Sequence, residues 1–539
     1  MSNDREDVPH PDHAGACLVC AAALQQDQPA RQAAAPGRRA FLKGTVAAAL
    51  AGSPLLAAAH GPPEPLPRGR GPHHVPSGRF VVEAGLALLA SGDDDLRIAR
   101  DVSVLVNGDV IEDVVEGSKV RGNFKRLDAR GHFLVPGFIS GHTHVAGGTA
   151  TRGIIEMGRS FARPLEVMEL LTDDELDALT AFNLAELLLS GCTTHVEMAL
   201  SLRQAQSYVR VARRWGARGY PGGMVPGIAR LFPIWFRSND QALFDSEAGT
   251  LAEIEANLEF ARSVNGAENG RILPMMTPHA TDTQTPATMA AYAAGARELG
   301  NGIHTHLSQS SRETATVRRL WGMTPTEWSA SFGHFDGPFF GAHMSGLDFA
   351  VDPPILNAYG AVYSHCPSAG GAGGGTQPYP EALAAGMHVN VGIDTHSNDY
   401  VENLKLAVLY GQARRSLIGS TSPIPLTNPT MWDAIRGATI VGANGLRRSD
   451  LGRITPGAKA DLVSIDVSGP LVGVGTLPPE PLNNLLYAHG LSVRHVMTDG
   501  VLQVVDGRFV AENFAKVTRE GGAAAARIWE ILDSEGWFD

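Results

Sequence analysis

The middle of the chain alternates between short apolar runs and longer segments of helical periodicity, and this alternation restricts the fold more than any other feature. The apolar runs have the length of β-strands, and they cover residues 133–139, 192–198, 217–222, 272–277, 302–307, 339–343, 361–365 and 389–393. Helical patterns lie between them, as over 173–190, 248–264 and 286–299. Eight such strand–helix units predict an α/β fold, a distorted TIM-type (β/α)8 barrel whose active site lies at the carboxyl ends of the strands.

The two ends of the body share a different pattern, in which short β-type runs are separated by turn residues. Asn107-Gly108 divides two such runs near the start, and Asp499-Gly500 and Asp506-Gly507 bracket another near the end. We therefore expect one small β-sandwich domain built from both ends of the chain. The expected divisions are a sandwich over 78–134 and 450–515, a barrel over 135–449 and a C-terminal helix over 516–539.

Composition excludes several classes of protein. Of the 539 residues, 44% are hydrophobic and 19% are charged, as in soluble globular proteins. The net charge is −12 and no basic stripe is present, which argues against a nucleic-acid partner. No apolar run approaches the ~20 residues of a membrane-spanning helix, so we expect no membrane span in the mature protein. Cys192 and Cys366 lie on separate predicted strands, and we interpret them as buried free thiols.

The first 59 residues have the layout of an export signal. Arg38 and Arg39 open an Arg-Arg-x-Phe-Leu-Lys core, a modestly apolar stretch follows over 45–56, and an Ala-x-Ala cleavage site ends at Ala59. The core resembles the bacterial twin-arginine signal. That resemblance implies passage of the folded protein through the twin-arginine export machinery to the periplasm or the medium, with residues 60–77 as a linker. The alternative is an unstructured basic tail that contains Arg-Arg by chance.

Histidines and an aspartate stand at the ends of several predicted strands. His142 and His144 follow the first run, and their spacing places both side chains on one side of a strand. His306, His343 and Asp394 end the fifth, sixth and eighth runs. Converging neutral imidazoles and a carboxylate suit a metal such as zinc. The alternative for each residue alone is a histidine satisfied in the core or an aspartate that caps an element.

In combination these motifs resemble the amidohydrolase superfamily, and in finer detail its branch of aminohydrolases and triazine chlorohydrolases. The motifs that carry the resemblance are Pro136-Gly-Phe-Ile-Ser-Gly-His142-Thr-His144, Leu188-Leu-Ser-Gly-Cys-Thr-Thr194, Thr277-Pro-His279, His365-Cys-Pro-Ser and Leu451-Gly-Arg-Ile-Thr-Pro-Gly-Ala-Lys-Ala-Asp461. The resemblance implies that one divalent metal ion is bound by His142, His144, His306 and Asp394. Zinc is the first expectation for this ion, with Fe, Mn or Co as alternatives. Binuclear relatives add a bridging lysine or glutamate from the third or fourth strand. Neither 217–222 nor 272–277 contains one, so a mononuclear site is expected.

The resemblance also implies roles in catalysis. A bound divalent metal lowers the pKa of its water toward ~7. Asp394 is expected to accept the water proton and pass it to the leaving group, and His343 to hydrogen-bond the attacked group or relay a proton. His279 is expected to orient the substrate, and Trp235, in the bulky apolar loop 231–236, to line the pocket. Packing at the end of an element is the alternative for His279 and Trp235.

Two departures from the family pattern bear on the substrate. Deaminating relatives carry a glutamate three residues after the fifth-strand histidine, where this chain has Gln309, and a glutamine cannot transfer a proton at neutral pH. Glu313 is expected to lie too far along the next helix to replace it. The glycine-rich tract 368–375 stands in place of the usual Ser-Asn pair and is expected to form a loop at the pocket rim.

The missing acid favours a substrate whose leaving group needs less help. We therefore expect hydrolysis of a non-peptide carbon–nitrogen bond in a small molecule such as an amide, urea or carbamate. The alternatives are an amino-heterocycle deaminase or dechlorinating hydrolase of the same branch, and an exported metal-binding protein without enzymatic activity. The sequence leaves open whether the protein is a homo-oligomer.

Overall fold

The computed structural model describes residues 79–92, 94–117, 120–154, 157–159, 162–225, 227, 247–372, 377–395 and 397–538. The predicted export signal with Arg38 and Arg39, the linker 60–77 and the loop that holds Trp235 lie outside these residues. Within the described ranges, no helix is long and apolar enough to cross a membrane.

Fifteen strands lie in the described residues, and they fall into three groups along the chain. The first four are β1 Arg79–Ala90, β2 Leu96–Asn107, β3 Val110–Glu116 and β4 Lys125–Pro136. The next seven are β5 Phe138–Thr143, β6 Cys192–Ala199, β7 Arg218–Gly223, β8 Ile303–Leu307, β9 Phe339–His343, β10 Val362–His365 and β11 His388–Val391. The last four are β12 Leu462–Ile465, β13 Val493–Thr498, β14 Val501–Val505 and β15 Arg508–Phe509.

Most of the helices lie between the middle strands, and one long helix follows the last strand. They are Gly148–Thr151, Ala162–Met168, Asp173–Leu189, Leu202–Trp215, Glu247–Val264, Pro286–Leu299, Ser311–Trp321, Pro325–Ser331, Asp352–Tyr359, Pro367–Ala372, Tyr379–Ala384, Tyr400–Ile418, Met431–Arg436, Gly442–Gly445, Pro481–Leu485 and Phe514–Ser534. Thr172 begins the Asp173–Leu189 helix with a capping box, and three acidic residues follow in its first turn. The sequence predicted this helix to within one residue.

Strands from both ends of the chain share one eight-stranded sheet, in the order β15-β14-β13-β12-β4-β1-β2-β3. The two ends meet where β12 pairs antiparallel with β4, with Leu462 opposite Pro136. The turn between β2 and β3 falls on Gly108 and Asp109, one residue later than the Asn107-Gly108 pair indicated. The strand pairing gives a single sheet and does not divide these strands into the two sheets that a sandwich requires.

The middle strands form two parallel sheets, one with the order β5-β6-β7 and one with the order β11-β10-β9-β8. The first predicted run, 133–139, is divided between two sheets at Gly137. The Gly137 N–H donates to the carbonyl of Asp461, whereas the next residue, Phe138, donates to the carbonyl of Gly191. The chain therefore leaves the eight-stranded sheet and enters the parallel one without a loop.

The prediction of a fourth strand over 272–277 is wrong as a continuous strand. Only isolated bridges join this segment to β7 on one side and to β8 on the other. Leu273 and Met275 donate to the carbonyls of Gly219 and Pro221 in β7, but Pro221 has no N–H to donate back. Pro274 likewise has no N–H to donate toward β8, so both ladders are interrupted.

Both parallel sheets face one apolar layer. Its buried side chains come from the two sheets and from the segment between them, and they include Ile139, Val196, Tyr220, Met275, Phe340 and Val362. An isolated bridge between Thr143 and Asp394 joins the end of β5 to the chain just after β11. The described residues show no continuous ring of strand ladders, and hence no closed barrel, but the ends of the first and last middle strands meet.

The glycine-rich tract differs from the predicted loop at the pocket rim. Pro367–Ala372 is a short helix, and residues 373–376 lie outside the described part of the chain. A Cβ on Gly371 would lie 2.5 Å from the ring of Tyr410, so glycine permits this helix to pack closely on the helix Tyr400–Ile418. The first half of the tract is thus part of the packed structure.

A buried guanidinium connects the parallel sheets to the eight-stranded sheet. Arg218, at the start of β7, is 1% exposed and forms ion pairs with Asp461 and Asp499. Arg271 adds a longer contact, 3.5 Å from its Nη1 to Asp499 Oδ2. Separating the parallel sheets from the eight-stranded sheet would leave these buried charges without partners, which is costly. The cluster therefore stabilises the contact between them.

Candidate metal centre and active site

Two histidines near a bulge in β5 point into the same space. Ser140 pairs with His195 and Thr143 pairs with Glu197, so three residues of advance along β5 match only two along β6. The extra residue changes the phase of the strand. His142 and His144 are two residues apart and point to the same side, with ring centroids 4.6 Å apart, while Thr143 turns away to bond Glu197.

Gly141 occupies the bulge because a side chain does not fit there. Its N–H donates to Asn390 Oδ1 at 2.6 Å, and its carbonyl accepts the hydroxyl of Ser364 at 2.8 Å. A Cβ on Gly141 would lie 2.3 Å from Asn390 Oδ1. The glycine before the His-x-His pair is thus needed for the close approach of three strands.

Five polar side chains converge at these strand ends. Asp394 Oδ1 lies 3.4 Å from His144 Nε2 and 3.8 Å from His142 Nε2. Asp394 Oδ2 lies 3.6 Å from His343 Nε2. The ligand atoms of His142, His144 and His306 lie within 4.8 Å of one another, and all five side chains are buried. The structure therefore brings together the four residues expected to bind a metal and His343.

The hydrogen bonds of these histidines leave lone pairs facing the centre. His306 Nδ1 donates to the carbonyl of His279 at 2.7 Å, and His144 Nδ1 donates to the carbonyl of Met198. A carbonyl only accepts, so each Nδ1 carries the proton and each Nε2 keeps a lone pair. Five buried atoms of the centre have no hydrogen-bond partner among the described residues, and they are His142 Nε2, His144 Nε2, His306 Nε2, His343 Nε2 and Asp394 Oδ2. Leaving such atoms unpaired costs about 1–3 kcal/mol each, and a divalent cation held by His142, His144, His306 and Asp394 would satisfy four of them together.

Burial keeps the imidazoles of the centre neutral. Burial lowers the pKa of His144 to about 4 and that of His343 to about 3. Burial also raises the pKa of Asp394 to about 7, against the opposing effect of the Thr395 N–H. Neutral imidazoles with a carboxylate form a donor set that Zn, Fe, Mn and Co all accept, so the residues fit such an ion.

Two of the converging residues have an unusual backbone conformation. His343 has a φ of 72° and Asp394 a φ of 64°, both in the left-handed region. This conformation costs about 1–3 kcal/mol in a residue other than glycine, and such residues cluster at ligand-binding and catalytic sites. The chain thus holds both side chains in place at a cost in backbone energy.

His304 belongs to this centre but was not predicted. It lies two residues before His306 and therefore shares its side of β8. Its Nε2 lies 2.8 Å from His142 Nδ1. Because the Nε2 of His142 faces the centre, its Nδ1 carries the proton and donates to His304. The His-x-His spacing on β8, which repeats that of β5, is the signal that could have identified it.

Replacing His304 by leucine is expected to weaken metal binding about 10–100-fold, because His142 would lose the acceptor that orients its ring. Competition for the metal with a chromophoric chelator measures the affinity. His334→Leu is the matched control, since His334 is also buried but bonds the carbonyl of Met289, at 2.9 Å. Equal affinities in the two variants would contradict the role given to His304.

Glu197 on β6 is a second residue that was not predicted. Its carboxylate accepts the Thr143 hydroxyl at 2.7 Å and the Val145 N–H at 3.1 Å, so it holds the backbone on both sides of His144. It is buried, and burial raises its pKa to about 8. No spacing relation links a glutamate in an apolar strand to a motif about fifty residues earlier, so the sequence alone does not reveal it.

Of the expected substrate-binding residues, His279 lies beside the centre, and Gln309 follows the end of β8 two residues after Leu307. His279 is buried, with its ring centroid 4.9 Å from that of His306. Gln309 is also buried, and its N–H donates to Glu313 Oε2 at 2.6 Å. Glu313 turns back from its helix and also accepts the Thr281 N–H at 3.1 Å, so its carboxylate joins two strand ends. Burial raises the pKa of Glu313 to about 8.

Comparison with known sequences gives a consistent result. A model of the amidohydrolase family matches residues 133–502. A protein of Natronomonas pharaonis named 5-methylthioadenosine/S-adenosylhomocysteine deaminase is 28% identical over 439 residues. The match covers 80% of this chain and 94% of that protein.

Solved structures share the fold. Atrazine chlorohydrolase from Arthrobacter aurescens, complexed with zinc, has a TM-score of 0.69 at 19% identity and covers 83% of this chain and 100% of its own. An adenosine deaminase from Xanthomonas campestris with bound zinc has a TM-score of 0.67 at 20% identity, and the match covers 84% of this chain and 98% of that one. At these identities the likeness shows a common mixed α/β fold and no more.

Proposed function

The chain belongs to the amidohydrolase family and is a hydrolase of carbon–nitrogen bonds other than peptide bonds, and we propose that it uses one divalent metal ion to hydrolyse such a bond in a small organic molecule. The observation that carries this proposal is the set of buried histidine Nε2 atoms without partners, gathered around Asp394. Zinc is supported by its presence in two structural neighbours, with Fe, Mn and Co as alternatives. One ion rather than two is supported by the lack of lysine and glutamate in β7 and in 272–277.

The side chains of the centre divide the steps of hydrolysis between them. The residues that would hold the ion are His142, His144, His306 and Asp394. When bound, such an ion lowers the pKa of water to about 7. Asp394 Oδ1 is held by the Thr395 N–H at 2.8 Å, so Oδ2 is the oxygen that accepts the proton of the attacking water and returns it to the leaving nitrogen. His343, 3.6 Å from this oxygen, hydrogen-bonds the attacked group, while His279, Gln309 and Trp235 contact the substrate.

Gln309 decides between classes of substrate. A glutamine can donate and accept hydrogen bonds but cannot supply a proton to a ring nitrogen. Glu313 does not take over that task, because its carboxylate is engaged by the backbone N–H groups of Gln309 and Thr281. The site is therefore better matched to an amide, urea or carbamate, whose leaving nitrogen Asp394 and His343 can serve.

Deamination of an amino-heterocycle is the second candidate. It is supported by the names of relatives that match most of this chain and almost their own full length. A ring deaminase without the glutamate would need another proton route, through Asp394 or His343. Dechlorination by the same centre is a further variant, supported by the structural neighbour that acts on atrazine.

A product screen with metal analysis tests the proposed function. The purified protein is expected to hold one metal ion per chain and to release an amine from amide, urea or carbamate substrates, as seen by product mass. Chelation is expected to abolish turnover and zinc to restore it. Conversion of amino-heterocycles alone would select the second candidate, and turnover that survives complete removal of metal would overturn the proposal.

Gln309→Glu restores the missing acid and is expected to raise deamination of an amino-heterocycle about 10²-fold, the lower range for a general acid. Steady-state kinetics on an aminopurine nucleoside measures the gain. Gln412→Glu is the control, because it makes the same change on the helix Tyr400–Ile418, where the amide bonds the carbonyl of Pro429. If neither variant gains activity, the barrier to deamination lies in the shape of the pocket and not in Gln309.

We also infer the larger arrangement from these features. The two parallel sheets and the segment 272–278 would form a distorted (β/α)8 barrel over 135–449, an inference supported by their shared apolar layer and the Thr143–Asp394 bridge. The strands over 78–134 and 450–515 would curve into a small sandwich. The Arg38-Arg39 core supports export of the folded protein to the periplasm or medium.

A further inference from the structure

Gln377 lies at the point where three active-site segments meet. It is buried, and its Oε1 accepts the N–H of Cys366 at 2.8 Å and lies 3.0 Å from His365 Nδ1. Its Nε2 lies 2.9 Å from His343 Nδ1. His365 in turn stacks on Tyr379, with ring centroids 4.6 Å apart. One amide group therefore joins the end of β9 to the end of β10.

The hydrogen bonds fix which way this amide faces. A backbone N–H only donates, so the Gln377 atom that faces Cys366 must be the oxygen. The nitrogen then faces His343 and donates to its Nδ1. An imidazole whose Nδ1 accepts carries its proton on Nε2 when it is neutral.

This arrangement is the opposite of that at two of the expected metal ligands. His144 and His306 donate from Nδ1 to backbone carbonyls and so direct an Nε2 lone pair at the centre. His343 accepts at Nδ1 and so directs an Nε2–H at the same centre, 3.6 Å from Asp394 Oδ2. The group bonded to Nδ1 therefore distinguishes two kinds of histidine. His144 and His306 present a lone pair that can bind a cation, whereas His343 presents an N–H that can only donate a hydrogen bond.

We propose that Gln377 is a positioning residue that holds His343 in the Nε2–H form, so that His343 donates a hydrogen bond to the attacked group and stays out of the metal coordination. The proposal rests on the proposed function for the identity of that group. The arrangement of protons is independent of the substrate. It also accounts for a fourth buried histidine beside Asp394 that the mononuclear ligand set does not need.

Gln377→Glu is the sharpest test, because it keeps the size of the side chain but replaces the donor with an acceptor. His343 would then carry its proton on Nδ1 and present a lone pair at Nε2. We expect kcat to fall about 10²-fold or more with little change in KM, since an interaction of the transition state is lost. Gln412→Glu is expected to keep the kcat of the parent.

Nitrogen-15 NMR of the zinc-loaded protein with labelled histidine reports the tautomer directly. The His343 signals are assigned by their loss in His343→Gln. We expect an Nε2–H signal in the parent and an Nδ1–H signal in Gln377→Glu, with the zinc content of the parent unchanged. An Nδ1–H signal for His343 in the parent would overturn the proposal, and so would an unchanged tautomer in the variant.

These measurements separate the proposal from the proposed function. If the parent turns over no carbon–nitrogen substrate, the proposed function fails while the tautomer still tests the role of Gln377. If Gln377→Glu does not fold, Gln377→Met removes the donor without adding charge. In that variant we expect an added Nδ1–H population of His343, and a retained pure Nε2–H form would overturn the proposal.

Discussion

Asp394→Asn is expected to lower kcat by about 10²–10⁴-fold, the usual contribution of a group that moves a proton in the transition state. An asparagine neither accepts the proton of water nor carries the negative charge that would help to hold a divalent cation. The two oxygens of Asp394 differ in their contacts. Oδ1 accepts the Thr395 N–H, whereas Oδ2 faces His343, so we expect the substitution to act chiefly through the loss of Oδ2 as a proton acceptor.

Steady-state kinetics and metal content should be measured together on this variant. The control is Asp433→Asn, which exchanges a half-buried aspartate in the first turn of the helix Met431–Arg436, where it accepts the Thr430 hydroxyl. Loss of turnover with metal retained would identify Asp394 as the proton acceptor, whereas loss of both would identify it chiefly as a ligand. A variant with the turnover of the parent would exclude both roles.

Arg218→Met is expected to lower the free energy of unfolding by about 3–5 kcal/mol, because it leaves Asp461 and Asp499 buried without their shared guanidinium. Urea denaturation followed by circular dichroism measures the change. The loss should appear as a shift of the unfolding midpoint, and not as a loss of metal, since the cluster joins sheets away from the centre.

Arg262→Met is the matched control for this prediction. Arg262 also pairs with two carboxylates, those of Glu298 and Glu255, but its side chain is 42% exposed. Exposed pairs contribute about 0–1 kcal/mol, so the control should unfold close to the parent. Equal effects of the two substitutions would show that burial does not set the strength of the Arg218 cluster.

The site was more predictable than the fold around it, for a physical reason. His142, His144, His306, His343 and Asp394 each end an apolar run, and the ends of parallel strands must meet. That rule needs no knowledge of exact registers, and the structure does bring these five residues together.

Features that depend on contacts between distant segments were missed or mistaken. The run 272–277 has the apolar pattern of a strand, but Pro274 and, in β7, Pro221 each lack an N–H for the ladders, which leaves only bridges. Glu197 and Gln377 act through hydrogen bonds to residues that are remote in sequence, which no local pattern reports. Trp235 and the twin-arginine signal lie outside the described residues and stay predictions.

The pairing of His142 with the chain after β11 bears on how the centre is assembled. The carbonyl of His142 accepts the N–H groups of Ile393 and Asp394 at 2.9 and 3.0 Å. An ion at this centre would therefore cross-link the first and the last of the middle strands and close the long loop between them. A nascent chain that ends before Asp394 has no complete ligand set, so metal uptake would follow synthesis of all seven middle strands. The ion would then favour the finished fold over every partly folded one, by about 4 kcal/mol at a free concentration 1,000 times its Kd.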